Sequence, residues 1–195
     1  TPPSTTTGTT YYYVAVTSAC VTVVSNTSGA FNVNQNTQID SQNTGAQAVC
    51  IGFPFNPISV TASGTGTITY QWYSNSTNSN SGGSLISGAT GASFTPPSNV
   101  AGTTYYYVIV NSGCGPAVAS AASGAFLVNP NPVPTFTTSA ATTTCEQSTV
   151  TYTTQTGKSN YIWSIQGVAG VDYTITAGGT GSVNNTVTVQ WLTTG

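Results

Sequence analysis

The sequence predicts an all-β chain made of tandem β-sandwich domains. Three observations carry that reading. Thr, Val, Tyr and Ile are prominent, and clusters of Gly, Pro, Asn and Ser punctuate them at short intervals. No stretch combines helical periodicity with capping residues. One passage is also written twice: residues 1–35 read TPPSTTTGTTYYYVAVTSACVTVVSNTSGAFNVNQ, and residues 95–130 read TPPSNVAGTTYYYVIVNSGCGPAVASAASGAFLVNP. The two align with a one-residue gap at an offset of 94 to 95 residues. Solenoid and propeller-blade periods run about 20–50 residues, so a repeat of this length is a whole small domain.

The repeat phase divides the chain. Residues 1–35 read as the last strands of one repeat, 36–130 as a complete repeat, and 131–195 as the opening of a third. On this reading the chain is a segment of a longer array. The linkers are Asn34–Thr37 and the Pro-rich stretch Asn129–Pro134. Proline favours extended, semi-rigid geometry, which predicts an elongated rod.

Within the complete repeat the strands are expected in the following order. A first strand lies between Thr37 and Val49. Pro57–Ala62 (PISVTA) is the next, and Thr67–Tyr73 (TITYQWY) follows the turn SGTG. In TITYQWY, Ile68, Tyr70 and Trp72 share one face and read inward, while Thr67, Thr69, Gln71 and Tyr73 share the other. The polar segment Ser74–Gly83 is a loop tip. Ser84–Ser87 and Ala92–Thr95 are short strands. Thr103–Val110 (TTYYYVIV) carries the strongest strand pattern, with Tyr106, Val108 and Val110 on one face and Tyr105, Tyr107 and Ile109 on the other. Both faces are apolar, which marks a central strand. NSGCGP turns the chain, and Ala117–Val128 returns. About seven strands in this length is the spacing of an immunoglobulin-like sandwich.

The third repeat opens similarly. Ser148–Thr154 (STVTYTT) is a strand, and Tyr161-Ile-Trp163 stands where Tyr70-Gln-Trp72 stood, which makes Trp163 a core residue. A turn at GGTG and a strand Thr186–Trp191 follow.

Composition excludes several function classes. The only charged residues are Asp40, Glu146, Lys158 and Asp172, and there is no His or Arg. One lysine cannot form the cationic footprint that nucleic acid requires. Three dispersed acids do not make a calcium site, and four cysteines without a CxxC pair do not make a zinc site. The complete repeat holds one acid, Asp40, and no base, so no acid–base catalysis, cofactor or metal is expected. Apolar runs are far shorter than the roughly 20 residues of a spanning helix, so no membrane insertion of this segment is expected. Exposed aromatics beside amides and hydroxyls suit polysaccharide, and Tyr73, Tyr105 and Tyr107 with Asn75 and Asn78 are the candidate ligand face.

The cysteines follow the repeat. Cys20 and Cys114 are equivalent, as are Cys50 and Cys145. Cys50 and Cys114 are the only pair complete inside one repeat and are expected to be bridged, although both sit near strand ends. Cys20 and Cys145 are expected to pair outside the segment. Closing such a loop would add about 4 kcal/mol on the chain-entropy account and would imply an oxidising, extracellular setting.

The stretch TYQWYSNSTNSNSGGSLISGATGASFTPPSNVAGTTYYYVIVNSGCG resembles the immunoglobulin-like repeats of giant surface proteins of Bacteroidetes, through its YxWY core, SLISGAT segment, TTYYYV strand and GC turn. YIWSIQGVAG and NNTVTVQW in the third repeat resemble the PKD-like subtype. The resemblance extends to the gliding-motility adhesins of flavobacteria. It implies export by the type 9 secretion system and display as a surface filament. Neighbouring repeats, other filament chains or surface polysaccharide would be the partners. The acidic residues that some PKD members use for calcium are missing here.

Overall fold

The computed structural model describes residues 5–43, 45–138, 143–181 and 183–192. Among these residues every regular element is a β-strand. The chain forms two compact units, residues 1–130 and 131–195.

In the first unit, residues 36–130 close into two facing sheets. Strands β5 (Gln38–Gln42), β7 (Ile58–Ser63) and β10 (Ser93–Phe94) form one, in the order β10-β7-β5. The other contains β6 (Gln47–Cys50), β8 (Thr69–Asn75), β9 (Ser84–Leu85), β11 (Gly102–Asn111) and β13 (Phe126–Asn129), in the order β6-β13-β11-β8-β9. The short β12 (Val118–Ala119) also pairs with β11. Period-two patterning sets the faces: Ile58 and Val60 of β7 are buried, and Ser59 and Thr61 are exposed. The core between the sheets holds Phe55, Ile58, Val60, Trp72, Tyr106, Val108, Val110, Phe126 and Val128. Each such side chain gains about 1.5–3 kcal/mol by leaving water. Phe126 makes T-shaped contacts with Phe55 and Tyr106 at centroid distances of 5.0 and 5.4 Å. The Trp72 indole stacks on Phe94 at 5.8 Å and donates from Nε1 to the Gly91 carbonyl at 2.9 Å. Ile68 and Tyr70 pack on this core half-buried.

The stretch expected as one first strand is two strands in different sheets. β5 runs antiparallel to β7, whereas β6 runs parallel to β13, pairing Gln47 with Phe126 and Cys50 with Asn129. The Gly45 amide donates to the Asn43 Oδ1 at 3.2 Å, a side-chain turn that ends β5 and redirects the chain across the sandwich.

The expected return strand Ala117–Val128 is also interrupted, between β12 and β13. Across that gap β11 loses a regular ladder partner while buried on both faces. Two buried serines replace it. The amides of Tyr106 and Val108 donate to Ser123 Oγ and Ser120 Oγ at 2.9 and 3.0 Å. The serine amides return the bonds to the carbonyls of Tyr106 and Val108 at 2.8 and 2.9 Å.

Residues 5–34 repeat this arrangement. Strand β1 (Gly8–Thr10) pairs with β4 (Phe31–Val33), and β2 (Ala15–Thr17) pairs with β3 (Thr22–Val24). The amides of Tyr12 and Val14 donate to Ser28 Oγ and Ser25 Oγ at 2.9 and 3.0 Å. The packing differs. Val14 is 58% exposed and Val16 64%, whereas their counterparts Val108 and Val110 are fully buried.

The second unit has a three-stranded antiparallel sheet in the order β14-β16-β15, formed by β14 (Thr149–Thr153), β15 (Tyr173–Gly178) and β16 (Thr186–Trp191). Val187 and Val189 of β16 are buried. A β-bulge between Ile175 and Ala177 adjusts β15 against β16. Trp163 Nε1 donates to the Asn184 carbonyl at 3.0 Å, and its ring lies 6.2 Å from Phe136.

Two outcomes are expected. Ser123→Ala strands the buried Tyr106 amide and lowers unfolding stability by about 1–3 kcal/mol in a urea titration. Burial pushes the Tyr106 phenol above its ordinary value, opposed by a hydrogen bond with the Thr104 side chain. The folded state therefore holds that proton more tightly than the unfolded chain. The stabilisation is present below about pH 10 and is lost as pH rises further. The urea midpoint should fall between about pH 9 and pH 11, and less so in Tyr106→Phe.

Candidate functional site

The expected ligand face is only partly open. Tyr73 and Tyr107 are register partners on β8 and β11, and their rings stack at 5.1 Å with an interplanar angle of 9°. Tyr107 is only 3% exposed, and its hydroxyl accepts from the Gly83 amide at 3.2 Å. The loop following β8 folds back over this strand, so Tyr107 is a structural residue and is removed from the ligand face. A Cβ on Gly83 would lie 2.8 Å from the Tyr107 ring and 2.6 Å from the Ser74 carbonyl oxygen, so only glycine allows that approach. Tyr73 and Tyr105 remain half-exposed.

Beside them lies an open groove of about 350 Å³. Ser74, Asn75, Ser84, Thr103 and Thr104 contribute to its lining, together with glycine backbone. Asn75 is engaged within its own loop. Its Nδ2 donates to the carbonyls of Ser79 and Ser81 at 3.3 and 3.0 Å, and its Oδ1 accepts from Thr77. Asn78 is exposed on the same loop. Asn80 Nδ2 pins the loop to the Ser120 carbonyl at 2.8 Å. The groove offers hydroxyls and carbonyls but no charge.

The second unit has a cavity of about 450 Å³ whose lining includes Phe136, Gln155, Lys158, Tyr161 and Trp163. Trp163, expected where Trp72 stands, lies outside the strands and is half-buried, whereas Trp72 is buried within β8; both indoles donate to a backbone carbonyl. Phe94 stacks on Trp72, and Tyr106 packs in turn against Phe94. Among the described residues no group of three or more His, Cys, Asp or Glu side chains is placed to hold a metal ion. Asp40 accepts from Ser63 Oγ at 2.8 Å, and Asp172 accepts from the Val168 amide at 2.7 Å.

The cysteine pairing expected inside the complete repeat does not form. All four cysteines are free thiols. Cys50 pairs with Asn129, one step past the Val128–Gly102 pair, and so lies level with the start of β11. Cys114 lies beyond Asn111, at the other end of β11, where its carbonyl accepts from the Thr37 amide at 3.1 Å. A ten-residue strand spans roughly 30 Å, and a disulfide needs Cα atoms within about 7 Å. The length of β11 therefore separates the two thiols.

The sequence reading missed the serine pairs. Their signature is S-x-x-S-G-A-F, present as Ser25 to Phe31 and as Ser120 to Phe126. A serine pair just before an apolar strand, repeated in both copies, was the signal available; Ser120 and Ser123 are buried, and Ser25 and Ser28 are exposed.

A sequence-family profile described as a domain of unknown function (DUF8696) matches residues 40–129. The match begins within β5 and ends on the last residue of β13. No curated protein matches the chain. Thiol labelling of the chain purified without reductant should modify all four cysteines, whereas a Cys50–Cys114 bridge would leave two unmodified.

Proposed function

We propose that this chain is a stalk segment of a large cell-surface adhesin filament that serves attachment or gliding motility. The observation that carries the reading is the recurrence of one assembly, with the same register and the same serine bonds, 94 to 95 residues apart. A chain that repeats a fold while holding almost no charged or nucleophilic side chains is suited to spanning distance. In this reading residues 1–35 close one immunoglobulin-like repeat, 36–130 form a complete one, and 131–195 open a PKD-like one. The string forms an elongated rod outside the cell, exported by the type 9 route, with no catalytic role and no cofactor. Adhesive specificity lies elsewhere in the parent protein.

The near-absence of Lys and Arg suits such a location, because a trypsin-like protease finds one site, the exposed Lys158. Immuno-electron microscopy with antibodies to residues 36–130 tests the proposal. Labelled threads of beads about 4 nm across, projecting from the cell, are expected for small sandwiches in series. Label confined to compact particles or to the cell interior would overturn it.

A second reading, a carbohydrate-binding module, draws on the half-exposed Tyr73 and Tyr105 beside the uncharged groove. A glycan array separates the two. Binding that Tyr105→Ala abolishes favours the module, and a blank array favours the stalk.

A further inference from the structure

The two thiols of the complete repeat sit at opposite ends, and each faces a junction. At the leading end, the Cys114 thiol points to Asn36, with Sγ 3.7 Å from the Asn36 Oδ1. Asn36 also packs over Gly115, which has a φ of +79°. Gln35 is tied to the same end. Its carbonyl accepts from the Thr65 amide at 3.0 Å, and the Thr65 carbonyl accepts from the Gly113 amide at 2.8 Å. The Cys114 turn is thus held against residues 35 and 36, where the preceding repeat hands over to this one.

At the trailing end, Cys50 is exposed and pairs in parallel register with Asn129. The Ile51 amide donates to the Asn129 carbonyl at 3.0 Å. Asn129 corresponds to Asn34, since FLVN at 126–129 aligns with FNVN at 31–34. Any repeat built like 36–130 therefore places its own Cys50 counterpart beside the residue equivalent to Asn34. Neighbouring strands lie about 4.8 Å apart, and Asn34 is two residues from Asn36, at most about 7 Å further. The trailing-end thiol of one repeat and the leading-end thiol of the next then come within reach of each other.

We infer that Cys114 is one half of an inter-repeat disulfide whose other half is the Cys50 counterpart of the preceding repeat, and that Cys50 serves the following junction in the same way. Between two repeats built like 36–130, the repeat phase would supply one thiol of each kind to the junction. The chemistry is thiol–disulfide exchange with a small-molecule disulfide such as oxidised glutathione. The thiolate of one cysteine attacks the oxidant, and one reduced glutathione leaves. The second cysteine, deprotonated, then attacks the mixed disulfide and releases the second reduced glutathione. Two protons leave the protein thiols, and the two electrons reside on glutathione. The inference needs the repeat but not the adhesin reading.

The test adds a second copy of residues 36–98 directly before residue 5 of the chain. This supplies the preceding repeat with the strands that cover the face of Val14 and Val16, and with a Cys50 counterpart. After oxidation in glutathione buffer, the intact mass should fall by about 2 Da. Non-reducing peptide mapping should join the added cysteine to Cys114 and leave the native Cys50 free. Replacing only the added cysteine with serine should abolish the bridge. A second protein, two copies of residues 36–130 in direct succession, reproduces the same junction spacing. In it the first copy's Cys50 should join the second copy's Cys114. If both proteins leave Cys114 reduced, or if either maps a bridge between Cys50 and Cys114 of one copy, the inference is wrong.

Discussion

Strand β11 is buried along its centre, and its backbone must be satisfied where its edge partner breaks. Ser120 and Ser123 meet that constraint by lending side-chain oxygens to the amides of Val108 and Tyr106. Much of the core depends on this strand being held there. Tyr106, Val108 and Val110 face the other sheet, and Phe126 follows the second serine directly into β13. A buried amide without a partner costs more than most single contacts contribute, so the interruption is stable only because both serines fill it. The same bonds in residues 5–34, where Val14 and Val16 lie exposed, show that the serine ladder is local and holds whether or not the apolar face is covered.

Much of the fold was legible because period-two patterning and turn residues act locally. The strands around Trp72, Tyr106 and Val189 follow from their own alternation. What was not legible depended on partners distant in sequence. The division of the first strand into β5 and β6 requires knowing that β13 lies parallel to the second half. The burial of Tyr107 requires the loop after β8 to fold back and set Gly83 against its ring. For the cysteines, equivalence between repeats was readable, but the end each one occupies follows from strand direction. Cys50 and Cys114 looked like a pair in a linear count and lie at opposite ends of β11.

The scarcity of charge shapes the surface as well as the functional reading. Polar surface here comes from Thr, Ser, Asn and Gln, and their hydroxyls and amides are largely spent on bonds within loops and turns. Asn75, Ser79 and Ser81 tie the loop after β8 to itself, and Asn80 ties it to Ser120, just past β12. Such bonds depend little on salt, unlike ion pairs at exposed positions. The groove beside Tyr105 has the same character, with directional acceptors and donors but no field to draw in a charged ligand.

The parallel pairing of β6 with β13 has a mechanical consequence. The chain enters the complete repeat at the end where Cys114 lies and leaves it from β13 at the opposite end. Tension applied through the two termini pulls β13 outward along its own axis, sliding it past β6 and β11. The bonds that resist, including Gln47 to Ala125 and Ile51 to Asn129, lie across the direction of pull and are loaded together. A strand pair peeled from one end would break them one at a time. The sandwich therefore resists stretching in shear, through the four-residue ladder to β6 together with the pairs β13 makes with β11.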